Sequence, residues 1–222
     1  MYRILSASKD TYITNKIINK TFRATDTNVG QAGTLDLFKI YNETKLSGSD
    51  NPQTENSRLL LKFDLTPISD MQSQGKIDIN SNNFECLIKL HDVYGGQTTP
   101  ENFHIIAFPL SQSFDEGSGM DVSSYRDVGA TNWLTASVTA GEAKLWNLAG
   151  GLASGSLGDE SIDVIVSGSL SGPSGTSTVS LAPTQYFETG EEDLLIDVTN
   201  VISGTITDQI PDHGFLIAFS GS

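Results

Sequence analysis

The chain has 222 residues, of which 37% are hydrophobic and 18% charged, with 27 acidic side chains against 13 lysines and arginines. That length suits one globular domain with a substantial core. A net charge of −14 repels phosphate backbones and anionic lipid, and no basic patch breaks the pattern, so nucleic acid and membrane are excluded as expected partners. One cysteine, Cys86, rules out an internal disulfide framework and any multi-cysteine metal site.

Strand patterns dominate from the first residues onward. Segments 2–7, 11–14 and 35–41 read as strands, and residues 58–65 alternate Leu59, Leu61, Phe63 and Leu65 with Arg58, Leu60, Lys62 and Asp64 before Thr66-Pro67 stops them. Phe84, Cys86, Ile88 and Leu90 alternate with Glu85, Leu87, Lys89 and His91, which places Cys86 on an apolar face as a small buried hydrophobe. Residues 103–110 are apolar on both faces except at His104, as expected of a strand near the centre of a sheet or under covering loops. Residues 162–166 and 184–187, the alternating run from Leu194 to Val198, and residues 215–219 complete about nine strands. Helix is limited to one turn near 199–203, capped by Asp197 or Thr199.

With 21 glycines and much Ser, Thr and Asn between short strands, the pattern predicts an all-β, antiparallel, jelly-roll-like sandwich in a single domain over residues 1–222. Three polar stretches, 42–56, 114–158 and 167–183, read as long surface loops. The last has the composition of a flexible linker.

Catalytic signatures are missing from the pattern. His91, His104 and His213 fit no short chelating spacing, and no nucleophile elbow is present. Asp115-Glu116 and Glu191-Glu192-Asp193 could supply paired carboxyls, but acidic clusters in so acidic a chain read as solvated loops, and the chain is expected to be no enzyme. Asp115, Glu116, Asp121 and Asp127 offer hard oxygen ligands for a structural calcium ion, without the spacing of an EF-hand; no other cofactor is implied. Tyr125, Trp133 and Trp146 lie in a Gly-rich region and offer a flat platform for sugar rings. The competing reading, favoured by the apolar area of indole, is that both tryptophans plug the sandwich beneath the long loop.

Several patterns recur in a familiar order: Ala7-Ser8-Lys9-Asp10-Thr11-Tyr12-Ile13, Asn28-Val29-Gly30, Leu35-Asp36-Leu37, Arg58 to Leu65, Phe114-Asp115-Glu116-Gly117-Ser118-Gly119, Gly129 to Trp133, Trp146 with Gly150-Gly151, Ile196-Asp197-Val198-Thr199, and Gly214-Phe215-Leu216-Ile217. This colinear series resembles the DNRLRE-type β-sandwich domains over nearly the whole chain. Phe114 stands where that family usually has Trp, and the sequence ends after Phe219 where such domains continue into one more strand. A strand supplied from beyond residue 222 or by a neighbouring subunit is therefore expected beside 215–219.

The resemblance implies binding and architecture rather than catalysis. Such domains occur as carbohydrate-binding-like modules and as parts of surface and viral particles. The start of the chain has no secretory apolar region, so the expectation is a tailed-bacteriophage virion protein, made in the host cytoplasm and acting in capsid decoration, neck or tail. Its partners would be other virion proteins and further copies of itself. A module recognising a surface glycan is the alternative.

Overall fold

The structure is a computed structural model and describes residues 2–93, 100–124, 126 and 129–221. In chain order its strands are β1 (Ala7–Thr14), β2 (Ile17–Ile18), β3 (Phe22–Arg23), β4 (Lys39–Thr44) and β5 (Gln53–Phe63). Helix α1 (Thr66–Ser73) follows, then β6 (Leu87–Leu90), β7 (Phe103–Pro109), β8 (Thr135–Thr139), β9 (Glu142–Leu145), β10 (Ser154–Ser156), β11 (Val164–Gly172) and β12 (Gly175–Ser180). Strands β13 (Thr184–Phe187) and β14 (Leu194–Asp197), helix α2 (Thr199–Ile206) and β15 (Phe215–Phe219) end the chain.

The main sheet has the order β1-β5-β15-β7-β13, with β4 also paired to β5. Against it lie the small sheets β14-β6 and β10-β11-β12. From β5 onward the chain passes back and forth between layers, since β6, β11 and β14 face the main sheet while β7, β13 and β15 belong to it. This alternation gives the all-β antiparallel sandwich its jelly-roll character; among the described residues the one parallel strand pair is β10 with β11.

Side-chain alternation gives the main sheet two buried faces. Leu59, Leu61, Phe215, Ile217, Ile105 and Ala107 point into a core shared with Ile88, Leu194, Ile196, Ile165 and the α2 residues Val201 and Ile202. Leu60, Leu216, Ala218 and Ile13 point the other way, onto Leu110, Phe114, Trp133, Ala136 and Trp146. The long 110–153 connection therefore forms a third layer rather than a loose loop.

Three further expectations need correction. No strand is missing beside β15: it lies between β5 and β7, paired on both edges, as its buried run Phe215-Leu216-Ile217-Ala218 requires. The linker-like stretch 167–183 is largely a regular hairpin, β11 with β12, closed at Gly172 and Gly175. Its cross-strand hydroxyls pair Ser169 with Thr178 at 3.1 Å and Ser171 with Thr176 at 3.1 Å, so Ser and Thr, which read as linker by composition, here form a ladder. Residues 2–6 form no strand; the first strand starts at Ala7.

The two helices are short. α1 begins where Thr66-Pro67 ends the strand, with the Asp64 carboxylate accepting the Thr66 N–H at 3.0 Å and Pro67 in the first turn. It buries no residue fully and carries no helical apolar period to betray it. α2 starts at Thr199 as expected but runs eight residues rather than one turn; its N-cap is Val198 without a side-chain cap, and Asp197, one residue earlier, accepts the Thr199 N–H at 2.8 Å.

Candidate functional site

The third layer is held by two buried polar hubs. Asn28, fully buried, donates through Nδ2 to the Glu116 and Thr131 carbonyls at 2.8 Å each, and its Oδ1 accepts the Gly30 and Gly119 N–H groups at 3.1 and 3.0 Å. Every polar position of the amide is used. The backbone approaches so closely that a Cβ on Gly119 would sit 1.8 Å from the Asn28 carbonyl oxygen, and one on Gly30 1.9 Å from that of Glu116. The same 114–119 segment lies along β1, where Glu116 Oε1 accepts the Asp10 N–H at 3.0 Å. Burial and the Glu116 carboxylate beside it raise the Asp10 pKa above the ordinary aspartate range.

The second hub joins the sheet to residues 133–163. Arg58, on β5, is 5% exposed; its guanidinium lies 4.6 Å from the Trp133 ring centre and donates through Nη1 to the Gly150 carbonyl. Burial pulls the guanidinium down to about 10, and the Asp163 charge opposes that pull. Asp163 is itself fully buried. Its Oδ1 accepts from Gln112 Nε2 and the Asn147 N–H at 2.8 and 2.7 Å, and its Oδ2 accepts the Leu148 and Ala153 N–H groups at 3.0 Å each. Four N–H donors thereby satisfy the oxygens of this buried side chain, as burial of so polar a group requires. Gly150 has φ 88°, and a Cβ there would strike Arg58 Nη1 at 2.1 Å.

The residues singled out in the sequence land as follows. Trp133 and Trp146 are 7% and 5% exposed, and Trp146 donates through Nε1 to the Asn132 carbonyl at 3.0 Å. Neither ring offers a face to solvent, so a sugar platform built on them is not present; they plug the layer against Leu60 and Leu216. Tyr125 and Asp127 lie outside the described residues. The remaining calcium candidates serve the backbone separately: Asp115 Oδ2 accepts the Val138 N–H at 2.7 Å, Glu116 holds Asp10, and Asp121 Oδ1 accepts the Ser123 and Ser124 N–H groups at 2.8 and 2.7 Å. Among the described residues no three His, Cys, Asp or Glu side chains converge as a metal site.

Cys86 is half-buried, and burial, with Asp197 and Glu85 adding to it, pushes its thiol up to about 11, which keeps it protonated at neutral pH. His91 is exposed and pairs with Asp193 at 3.0 Å; exposed His104 sits 5.1 Å from the Tyr186 ring.

Two surface features were not legible in the sequence. A polar cleft of about 610 Å³ opens where residues 82–85 meet the start of α2, lined by Asn82, Asn83, Phe84, Glu85, Asp197 and Asn200 among others. On the third layer, Leu134, Leu145 and Leu148 are 45%, 61% and 54% exposed. The Trp146 N–H donates to the Leu134 carbonyl at 3.0 Å, and Leu145 pairs with Thr135, so all three leucines belong to the unit that Arg58 and Asp163 lock in place.

Among the described residues, no helix is long and apolar enough to cross a membrane. No family model matches the chain, and comparison with characterised proteins and with solved structures finds no match.

Proposed function

We propose that this chain is a non-catalytic structural protein of a tailed-bacteriophage virion, acting through contacts with other virion subunits. The observation that carries the proposal is the trio Leu134, Leu145 and Leu148, exposed on a unit fixed from within by Arg58, Trp133 and Asp163. Exposed apolar side chains cost solubility unless a partner covers them, and a preformed mount loses little entropy when it docks. The net charge of −14 suits such a protein, since it keeps free copies soluble before assembly. The resemblance to DNRLRE-type domains agrees with a binding or architectural role.

The test is to follow the chain into particles. In virions purified from lysates of a host producing it, the wild-type chain is expected in stoichiometric amount. A variant carrying Leu134→Ser, Leu145→Ser and Leu148→Ser should fold with an unchanged melting temperature and be lost from the particles. Absence of the wild-type chain from purified virions refutes the proposal.

A second reading, a glycan-binding module, draws on a different observation: Tyr186 is 50% exposed, next to His104, with its hydroxyl donating to Asn102 Oδ1 at 2.5 Å. An exposed ring with polar neighbours is a surface on which a sugar can stack. Loss of glycan-array binding on Tyr186→Ala would support that reading, and equal binding by the variant would remove it.

A further inference from the structure

Several sheet edges among the described residues are guarded. The outer side of β1 carries the 114–119 segment through the Asp10–Glu116 bond, with Lys9 Nζ reaching the Phe114 carbonyl at 3.4 Å. β14 is closed toward β13 by a single side chain: Gln185 donates through Nε2 to the Asp193 carbonyl at 3.0 Å and accepts the Leu195 N–H on Oε1 at 2.5 Å, imitating a neighbouring strand. Gln209 does the same for β11, bonding the Ser171 N–H at 2.5 Å and the Ser171 carbonyl at 3.1 Å. β4 carries Lys39 and Glu43 and loses register between Ile40 and Thr44, where Asn42 has φ 52°. β9 carries Glu142 and Lys144. Charge, irregular pairing and covering groups are the usual defences of an edge.

β12 has none of them. It is six residues long, Gly-Thr-Ser-Thr-Val-Ser, and pairs with β11 in unbroken register from Gly175 to Ser180. From Ser167 to Leu181 the sequence carries no charge, in a chain of net charge −14. The free groups can be assigned. The Leu181 N–H donates to the Val166 carbonyl at 2.9 Å, so in this register Val179 and Ser177 turn their N–H and C=O groups toward β11, while Thr176, Thr178 and Ser180 turn theirs outward. Gln209 on the outward groups of Ser171, the cross-strand neighbour of Thr176, reports the same phase.

We propose that the outer edge of β12 pairs with β12 of a second copy of this chain, antiparallel about a two-fold axis through Thr178. The geometry is self-complementary: Thr178 exchanges both backbone hydrogen bonds with Thr178 of the partner subunit, and Thr176 does so with Ser180 of the partner subunit on either side. The opposed side chains are then Thr with Thr, Thr with Ser, and Ser177 with Val179, none of which clash or repel. A second copy is the fitting occupant because two chains of net charge −14 repel wherever acidic surfaces meet, whereas this hairpin brings no charge to the contact. The two β10-β11-β12 sheets become one continuous sheet. The contact is separate from the leucine surface, so either can fail alone.

The test combines mass in solution with amide exchange. The wild-type chain is expected to shift from monomer to dimer with rising concentration, and on dimerisation the amides of Thr176, Thr178 and Ser180 should slow while Ser177 and Val179, already bonded to β11, do not change. Thr178→Pro removes one outward N–H without breaking the β11 ladder, and Thr178→Lys places like charges across the axis; both should be monomeric at concentrations where the wild type is dimeric, with Leu134, Leu145 and Leu148 intact. Exchange on the wild type needs no variant, so a misfolded Thr178→Pro leaves the test standing. A chain that stays monomeric at every concentration overturns the proposal. So does a dimer whose protected amides lie elsewhere, or protection of Thr178 that appears only when a different virion protein is added.

Discussion

The Arg58 guanidinium lies over the Trp133 ring and bonds the Gly150 carbonyl, so one side chain of the main sheet fixes two separate turns of the layer above it. The cation does this at a cost in solvation, visible in its lowered pKa of about 10. Arg58→Met keeps most of the volume and removes both bonds; the expected loss is about 2–4 kcal/mol, since the Gly150 carbonyl and Asp163 are left without their cation. Urea unfolding measures it. The native Trp fluorescence should also change, because Trp133 loses the charge above its ring while Trp146 does not.

Asn28 makes a sharper case because nothing about it is charged. Replacing it with Ala strands two carbonyls and two N–H groups in the interior, and the expected loss is on the order of 3 kcal/mol. Asn28→Asp should be nearly as damaging at neutral pH, because a carboxylate cannot donate to the Glu116 and Thr131 carbonyls. Gly119→Ala needs no polar argument: the new methyl would overlap the Asn28 carbonyl, and the 114–119 segment would have to leave its place. Thermal melts of the three variants should fall together, and a Gly119→Ala protein as stable as the wild type would contradict the packing described.

These hubs also show what the sequence could disclose. The readings of 184–187 and 215–219 as strands match β13 and β15, and the alternation from Leu194 marks β14 to within one residue, because the buried positions of these strands leave a short-range apolar pattern. Asn28-Val29-Gly30, Phe114 to Gly119 and Gly129 to Trp133 were visible only as a series along the chain; in the structure they converge on one buried amide. Arg58 reads as a surface residue by its alternation with Leu59, and partners far along the chain, Trp133 and Gly150, make it a buried one. The β11–β12 hairpin stayed hidden for the opposite reason: its ladder is built of hydroxyls, whose composition is that of a linker. Likewise the three exposed leucines follow from how the third layer is mounted, which no local pattern encodes.

His213 supplies a pH dependence. It sits half-buried in the turn before β15, and burial, with Lys62 and Lys144 adding to it, lowers its pKa below the ordinary 6.5 despite Asp212. The unfolded chain therefore binds a proton that the folded chain resists. The stability this residue contributes is present above about pH 6.5 and declines as the pH falls below it. In His213→Gln, melting temperature should fall less steeply over that window than in the wild type. An identical slope in both would mean that the turn leaves His213 free to protonate in the folded state.

Gln185 allows a test that is local rather than global. Its amide satisfies the Asp193 carbonyl and the Leu195 N–H, which otherwise face solvent at the edge of β14. Water can replace both bonds, so Gln185→Leu should cost only about 1 kcal/mol and leave the melting temperature close to that of the wild type. The Leu195 amide, however, loses this acceptor and should exchange markedly faster, while Ile88, inside the β6–β14 pair, is unaffected. Gln185→Glu separates the two bonds. A carboxylate still accepts the Leu195 N–H but repels the Asp193 carbonyl, so protection at Leu195 should persist at reduced level. Unchanged Leu195 exchange in Gln185→Leu would show that β14 is closed by something other than this amide.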